Sequence, residues 1–204
     1  MSIRERYGPE RIIAFSDAVV AIAITVLLLP LAELQIPDGA GLGELIQENR
    51  LLLGGLTLSW VIIALFWLAH HRLFDRIKYF DAITVRLNFL WLFAIALMPV
   101  PTNILIESET STSMVAFYIG WMFLISGILM LIQFHARRTP GMMDADYLKT
   151  PDANESRLRG VLITVVFGIC FVVAFIAPSA ALWCLLLQIP VDPVAARIAA
   201  RRNA

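Results

Sequence analysis

Six long apolar stretches separated by shorter polar links run along the 204-residue chain, and their lengths set the first expectation. A hydrocarbon core about 30 Å thick is crossed by roughly 20 helical residues rising about 1.5 Å each. Stretches at about 12–31, 51–69, 83–105, 114–134 and 160–177 meet that requirement. The sixth, at about 179–196, is interrupted by Pro190, Asp192 and Pro193. The expected fold is therefore an all-α membrane protein with six transmembrane helices in one domain, residues 1–204, without an internal repeat. Pro178 and Ser179 predict a tight connection between the last two helices. The link 139–159, with Pro140, Gly141 and Pro151, reads as the longest inner loop and is expected to lie outside the core.

Charge orients this pattern. Fifteen of the 16 Lys and Arg residues fall in four stretches: the N-terminus, the links after the second and fourth helices, and the tail. Only Arg50 lies elsewhere. Basic residues collect on the cytoplasmic side, so both termini are expected there and the number of crossings to be even. The opposite links carry Glu33, Asp38, Glu44, Glu48, Glu107 and Glu109, which mark the outer side. A composition that is 59% hydrophobic, with mean hydropathy +0.78 and no net charge, excludes an ordinary soluble core. The first stretch has no small-residue cleavage site behind it and reads as a retained helix rather than a signal peptide.

Against this apolar background a few polar groups stand out. Asp17 lies inside the first helix, and an ionisable group near a helix centre costs at least about 2.5 kcal/mol unless it faces protein or water. Arg11, Ser16, His70 near the end of the second helix and Asn88 near the start of the third lie at a similar depth. They are expected to form, with Asp17, a hydrogen-bonded cluster clipping the first helix to the second and third. Snorkelling of Asp17 to the interface is the plainer alternative. On the opposite side of the first helix, Ile22, Val26 and Leu29 recur at one-turn intervals with Thr25 beside them. Periodicity alone favours lipid contact or ordinary packing over a pore lining. Ala18, Ala21 and Ala23 would let copies of this helix approach closely, and Pro30 ends or bends it near its outer mouth.

The chain has no glycine-rich phosphate loop, no recognisable Ser/His/Asp arrangement and no Cys-x-x-Cys, so it is not expected to be an enzyme or to carry a cofactor. Cys170 and Cys184 sit in apolar runs and read as small buried hydrophobes. His70 and His71 are adjacent and point to different sides of a helix, which argues against a shared structural metal site despite His135 on the same membrane side. No nucleic-acid partner is expected. A carbonyl-lined filter sequence of the TVGYG type is also missing, so any ion selectivity must arise otherwise.

Two sets of residues carry a family likeness. The segment R-x-x-x-F-S-D, Arg11 to Asp17, is followed by A-x-x-A-I-x-x-T. Trp67, His70 and Phe74 then form W-x-x-H-x-x-x-F, followed by Asp81, Asn88 and Pro99. These resemble the transmembrane protein 175 family, lysosomal potassium channels of animals and their shorter prokaryotic relatives, over the first half of the chain. The resemblance implies a homotetramer whose first helices line a central pore. It implies a main hydrophobic constriction at Ile22, further rings at Val26 and Leu29, and a pore-adjacent hydroxyl at Thr25, with potassium passing transiently near Ile22 and Thr25. It also implies an inner network of Arg11, Phe15, Ser16, Asp17, Trp67, His70 and Asn88 that positions the pore helix. Val26 in place of a frequent leucine and Ala18 in place of a frequent glycine depart from the family pattern.

The resulting expectation is a potassium-permeable channel in a prokaryotic plasma membrane, passing potassium and other monovalent cations passively through a hydrophobic gate. A secondary transporter or proton-coupled carrier using Asp17 and His70 as a relay is the alternative. The interrupted helices in paired halves that mark many transporters are absent from this chain.

Overall fold

The computed structural model describes residues 9–35, 39, 41–107 and 111–185. Helix α1, Pro9–Leu27, opens with Glu10 in its first turn, where a negative charge complements the helix dipole. A short helix α2, Leu29–Ala32, continues it. Pro30 has no N–H to donate, so the ladder tightens around it: Leu28 donates to the Thr25 carbonyl at 3.1 Å and Leu31 to that of Leu28 at 3.0 Å. The acidic link after α2 contains a short helix, α3, Leu42–Glu48, whose last turn is tied by Asn49 Nδ2 donating to the Leu45 carbonyl at 2.9 Å.

Helix α4 spans Arg50–Phe74 and runs past the expected end at 69, because His70, Leu73 and Phe74 are buried against the bundle. The third apolar stretch is two helices rather than one: α5, Ala82–Ala96, and α6, Pro99–Glu107. Pro99 cannot donate back to Ile95. Met98 N–H takes that carbonyl at 3.0 Å instead, and Val100 closes on Leu97 at 3.0 Å. Helix α7, Thr112–Arg138, follows. Helix α8, Pro151–Ala174, begins well before the expected 160, with Thr150 as its N-cap accepting from the Ala153 N–H at 3.3 Å. Pro151 therefore opens a helix instead of marking a loop. Helix α9 covers Pro178–Cys184.

Among the described residues, five segments are long and apolar enough to cross a membrane: Pro9–Ala32, Arg50–Phe74, Ala82–Glu107, Thr112–Arg138 and Pro151–Ala174. The chain is a multi-pass membrane protein. Most of the expected sixth helix, 186–196, and the basic tail lie outside the described residues.

Packing places α7 at the centre, between α5 on one side and α8 on the other, while α1 leans on α4 and α5. Trp91, Tyr118, Ile63, Ile95, Met122 and Phe74 form the fully buried middle. At Gly120 a side chain would meet the Phe171 ring at 2.8 Å, so the missing Cβ is what lets α7 and α8 close on that ring. The link from α7 to α8 is not detached from the core, contrary to expectation. Met142 and Met143 are buried, Lys78 N–H donates to the Met142 carbonyl at 2.8 Å, and Ile77 pairs with Met143 in an isolated bridge. Lys78 Nζ also donates to Asp144 at 2.6 Å, and Tyr79 to the Pro140 carbonyl at 3.0 Å. These bonds strap the ends of α4 and α7 together.

Candidate pore-lining face and its anchoring network

Helix α1 has two unlike faces. Ser16, Val20, Ala23 and Leu27 recur at helical spacing and are buried in the subunit's own bundle. On the other face Ile22 is 62% exposed, Leu29 56%, Phe15 49% and Val26 48%, so this stripe is left largely uncovered by the described residues. Thr25 shares the exposed side and donates its hydroxyl to the Ile22 carbonyl at 2.7 Å. Ala18 and Ala21 flank the stripe, whereas Ala23 is buried in the bundle and is unavailable for contact between copies.

The buried face is held by polar bonds, but not in the single cluster expected. His70, fully buried, meets Asn88 Oδ1 through Nε2 at 2.8 Å, and Asn88 Nδ2 donates to Ser16 Oγ at 3.0 Å. Ser16 in turn donates to the Ile12 carbonyl at 2.8 Å. Because the Asn88 amide nitrogen is spent on Ser16, its oxygen faces His70, and the proton of that bond sits on Nε2. The imidazole stacks on Phe74 at 3.9 Å and on Trp91 at 4.3 Å between ring centroids. Three helices are thereby tied through one asparagine.

Asp17 belongs to a second, more exposed set. Its carboxylate accepts from Trp67 Nε1 at 2.8 Å and lies 4.0 Å from His71 Nδ1, and the His71 ring stacks on Trp67 at 5.4 Å. Helical geometry explains the split. Ser16 and Asp17 differ by about 100° around α1, so they address neighbours on different sides. Arg11 is exposed and, among the described residues, bonds to none of Ser16, Asp17, His70 or Asn88. Phe15 packs on Phe89 at 5.8 Å, outside both sets.

Two further constellations escaped the sequence reading. Ser59, Thr102 and Tyr118, all fully buried, join α4, α6 and α7: Thr102 Oγ1 reaches Ser59 Oγ at 3.0 Å and the Met98 carbonyl at 2.9 Å, and Ser59 meets the Tyr118 hydroxyl at 2.9 Å. The Met98 carbonyl also keeps its backbone partner, the Thr102 N–H, at 3.3 Å. At the basic end, Asp81 caps α5 by accepting from Thr84 N–H at 2.8 Å and meets His135 Nε2 on α7 at 2.8 Å. Burial raises the Asp81 carboxyl, but the Thr84 and His135 bonds outweigh it and hold the group below its ordinary value. The Asp-x-x-Thr spacing was a readable cap signal for the first of these.

Residues 11–99 match the family described as endosomal/lysosomal potassium channel TMEM175. Over this part of its length the chain is similar to one family, TMEM175. It is an ion-channel family and not one of enzymes. A potassium channel of Streptomyces collinus is 28% identical over 171 residues, covering 82% of each chain. The endosomal/lysosomal proton channel TMEM175 of Gallus gallus is 33% identical over 90 residues, 44% of this chain and 18% of its own length. In fold, the chain resembles the crystal structure of a lysosomal potassium-selective channel TMEM175 homologue from Chamaesiphon minutus, with a TM-score of 0.73, 24% identity, and coverage of 92% of this chain and 97% of that one.

Proposed function

We propose that this chain is one subunit of a passive potassium-permeable channel of the TMEM175 family, in which four copies turn the Ile22, Val26 and Leu29 face of α1 toward a shared axis. The observation that carries the reading is the asymmetry of α1: one face is locked to its own bundle by Ser16 and Asn88, while the apolar face is left exposed by the described residues. Closed cyclic symmetry supplies a cover and a path at once. The similarity to the Streptomyces collinus potassium channel supports the choice of ion. The basic links support a reading in which both termini face the cytoplasm, the protein sitting in a prokaryotic plasma membrane.

A ring of Ile22 side chains narrow enough to exclude water makes an ion shed part of its shell, and potassium sheds its shell at lower cost than sodium. A small rotation of α1 would widen the ring and admit water, which gates conduction by wetting. Thr25 commits its proton to the Ile22 carbonyl, so its oxygen lone pairs remain for a passing cation. Asp17 and His70 do not form the relay that a proton-coupled carrier would need, since each is bonded to a different partner.

Purified protein in liposomes tests this. Voltage-driven potassium flux without proton coupling is expected, and Ile22→Asn should raise sodium flux relative to potassium. Potassium uptake that stops when the proton gradient collapses would replace the channel by a carrier. Selectivity unchanged in Ile22→Asn would remove Ile22 from the constriction. A proton-flux arm belongs in the same assay, because the Gallus gallus relative is named a proton channel.

A further inference from the structure

Two clefts open at the basic end of the bundle, and their charges differ. The first lies among Arg72, Arg76, Asp75, Asp152, Glu155 and Arg159, with three cations facing three carboxylates. Its charges are matched internally; the Arg159 guanidinium, for example, donates to Glu155 at 3.1 Å. The second, of about 520 Å³, runs between α7 and α8, and its lining contains Arg137, Arg138 and Arg157 but no carboxylate. Below these arginines the walls are apolar: Met130, Leu131 and Phe134 from α7 and Val161 from α8.

From this arrangement we infer that the α7/α8 cleft is a binding site for an anionic phospholipid, the phosphate seated among the three arginines and an acyl chain lying along the apolar walls. Several observations converge on a lipid. The apolar walls belong to two candidate spans, so they sit at the depth of acyl chains and not of water. Leu131 and Phe134 are 51% and 50% exposed, leaving a surface for a chain to cover. Two of the three cations are held in place. Arg137 Nη1 donates to the Ala153 carbonyl at 2.9 Å, and the Arg138 guanidinium lies 3.9 Å from the Phe134 ring centroid, leaving their remaining donors for a phosphate. The floor is closed by Gln133, whose amide donates to the Ser156 carbonyl at 3.2 Å, so it does not compete for the ligand. Helix α8 packs on α7 and α9 while α1 packs on α4 and α5, so the cleft lies away from the α1 face and faces lipid if α1 lines an axis. Basic pockets between helices at the cytoplasmic surface suit anionic headgroups.

Native mass spectrometry of the full protein released from micelles with equal phosphatidylglycerol and phosphatidylcholine of identical acyl chains tests the inference. Preferential retention of phosphatidylglycerol is expected. Arg138→Gln and Arg157→Gln should each weaken it roughly fivefold, and together about 25-fold. Arg72→Gln, in the charge-matched cleft, should leave it unchanged. Val161→Trp keeps every arginine and fills the apolar groove, so it should also lower retention. Equal retention of the two lipids, an undiminished preference in the double variant, or an equal loss in Arg72→Gln would overturn the assignment. So would inorganic phosphate displacing the lipid completely, which would mark a site for soluble anions.

Discussion

Replacing Asn88 with alanine removes a side chain that joins α1, α4 and α5, and the geometry gives the size of the effect. Asn88 is fully buried, as are both of its partners, Ser16 and His70. Ser16 keeps its bond to the Ile12 carbonyl, so it loses only an incoming donor. His70 loses the sole acceptor for its Nε2 proton in a dry site. An unsatisfied buried donor costs about 1–3 kcal/mol, and a small cavity adds to that. Bonds between helices in a membrane are worth less than this intuition suggests, about 0.6 kcal/mol on average and about 1.7 at most, because the unfolded helices find other partners. Asn88→Ala is therefore expected to destabilise by about 1–3 kcal/mol, and a double-mutant cycle with His70→Phe to give a coupling of about 0.6–1.7 kcal/mol. Reversible unfolding in mixed micelles, followed by circular dichroism, reads both quantities. A coupling below about 0.3 kcal/mol would refute the claim that Asn88 holds α4 through His70, since independent sites add within that error.

Asp17→Asn keeps a carbonyl oxygen for Trp67 Nε1 and should retain assembly and flux; Asp17→Ala leaves that N–H bare and should lower the yield of assembled protein, as size-exclusion chromatography will register. The acid limb of stability should report Asp81 and Asp144, the latter held low first by its bond from Lys78. Both carboxyls titrate below their unfolded values, so the unfolded state binds more protons in that range and stability rises with pH. Their contribution is full above about pH 5 and is lost as pH falls through the folded values. Thermal midpoints measured down to about pH 2 should fall less steeply in Asp81→Asn than in the parent, and equal slopes would exclude the Asp81–His135 pair as a source.

The spans were legible because hydropathy over some 20 residues reports burial in lipid directly. Their ends were not, wherever a helix continues through polar residues: Asp152, Asn154 and Glu155 lie in the first turns of α8 and read as loop, and His70 to Phe74 complete α4. A break at Pro99 leaves the hydropathy of its stretch unchanged, so the joint between α5 and α6 was invisible to the same argument. Depth in the membrane gathered Ser16, Asp17, His70 and Asn88 at one level in the sequence reading. Rotation about the helix axis decides which of them touch, and depth carries no information on rotation. That is why Asp17 was assigned to the His70 set when it bonds Trp67, and why Arg11 was included although it points outward. The Ser59, Thr102 and Tyr118 network went unread for a related reason: hydroxyls are mild enough in polarity to pass inside an apolar run.

The central claim is that the exposed stripe of α1 faces an aqueous axis shared by copies of the chain. With Cys170 and Cys184 replaced by alanine, single cysteines at Ile22, Val26 and, as an exposed control on α8, Val172 can be challenged with a small water-soluble thiol reagent during potassium flux in liposomes. Block at Ile22→Cys and Val26→Cys, protected by neither lipid nor detergent, with no block at Val172→Cys, is the predicted result. Full flux after treatment of Ile22→Cys, with its thiol reacting only with a membrane-soluble reagent, would place the stripe against acyl chains and contradict the account.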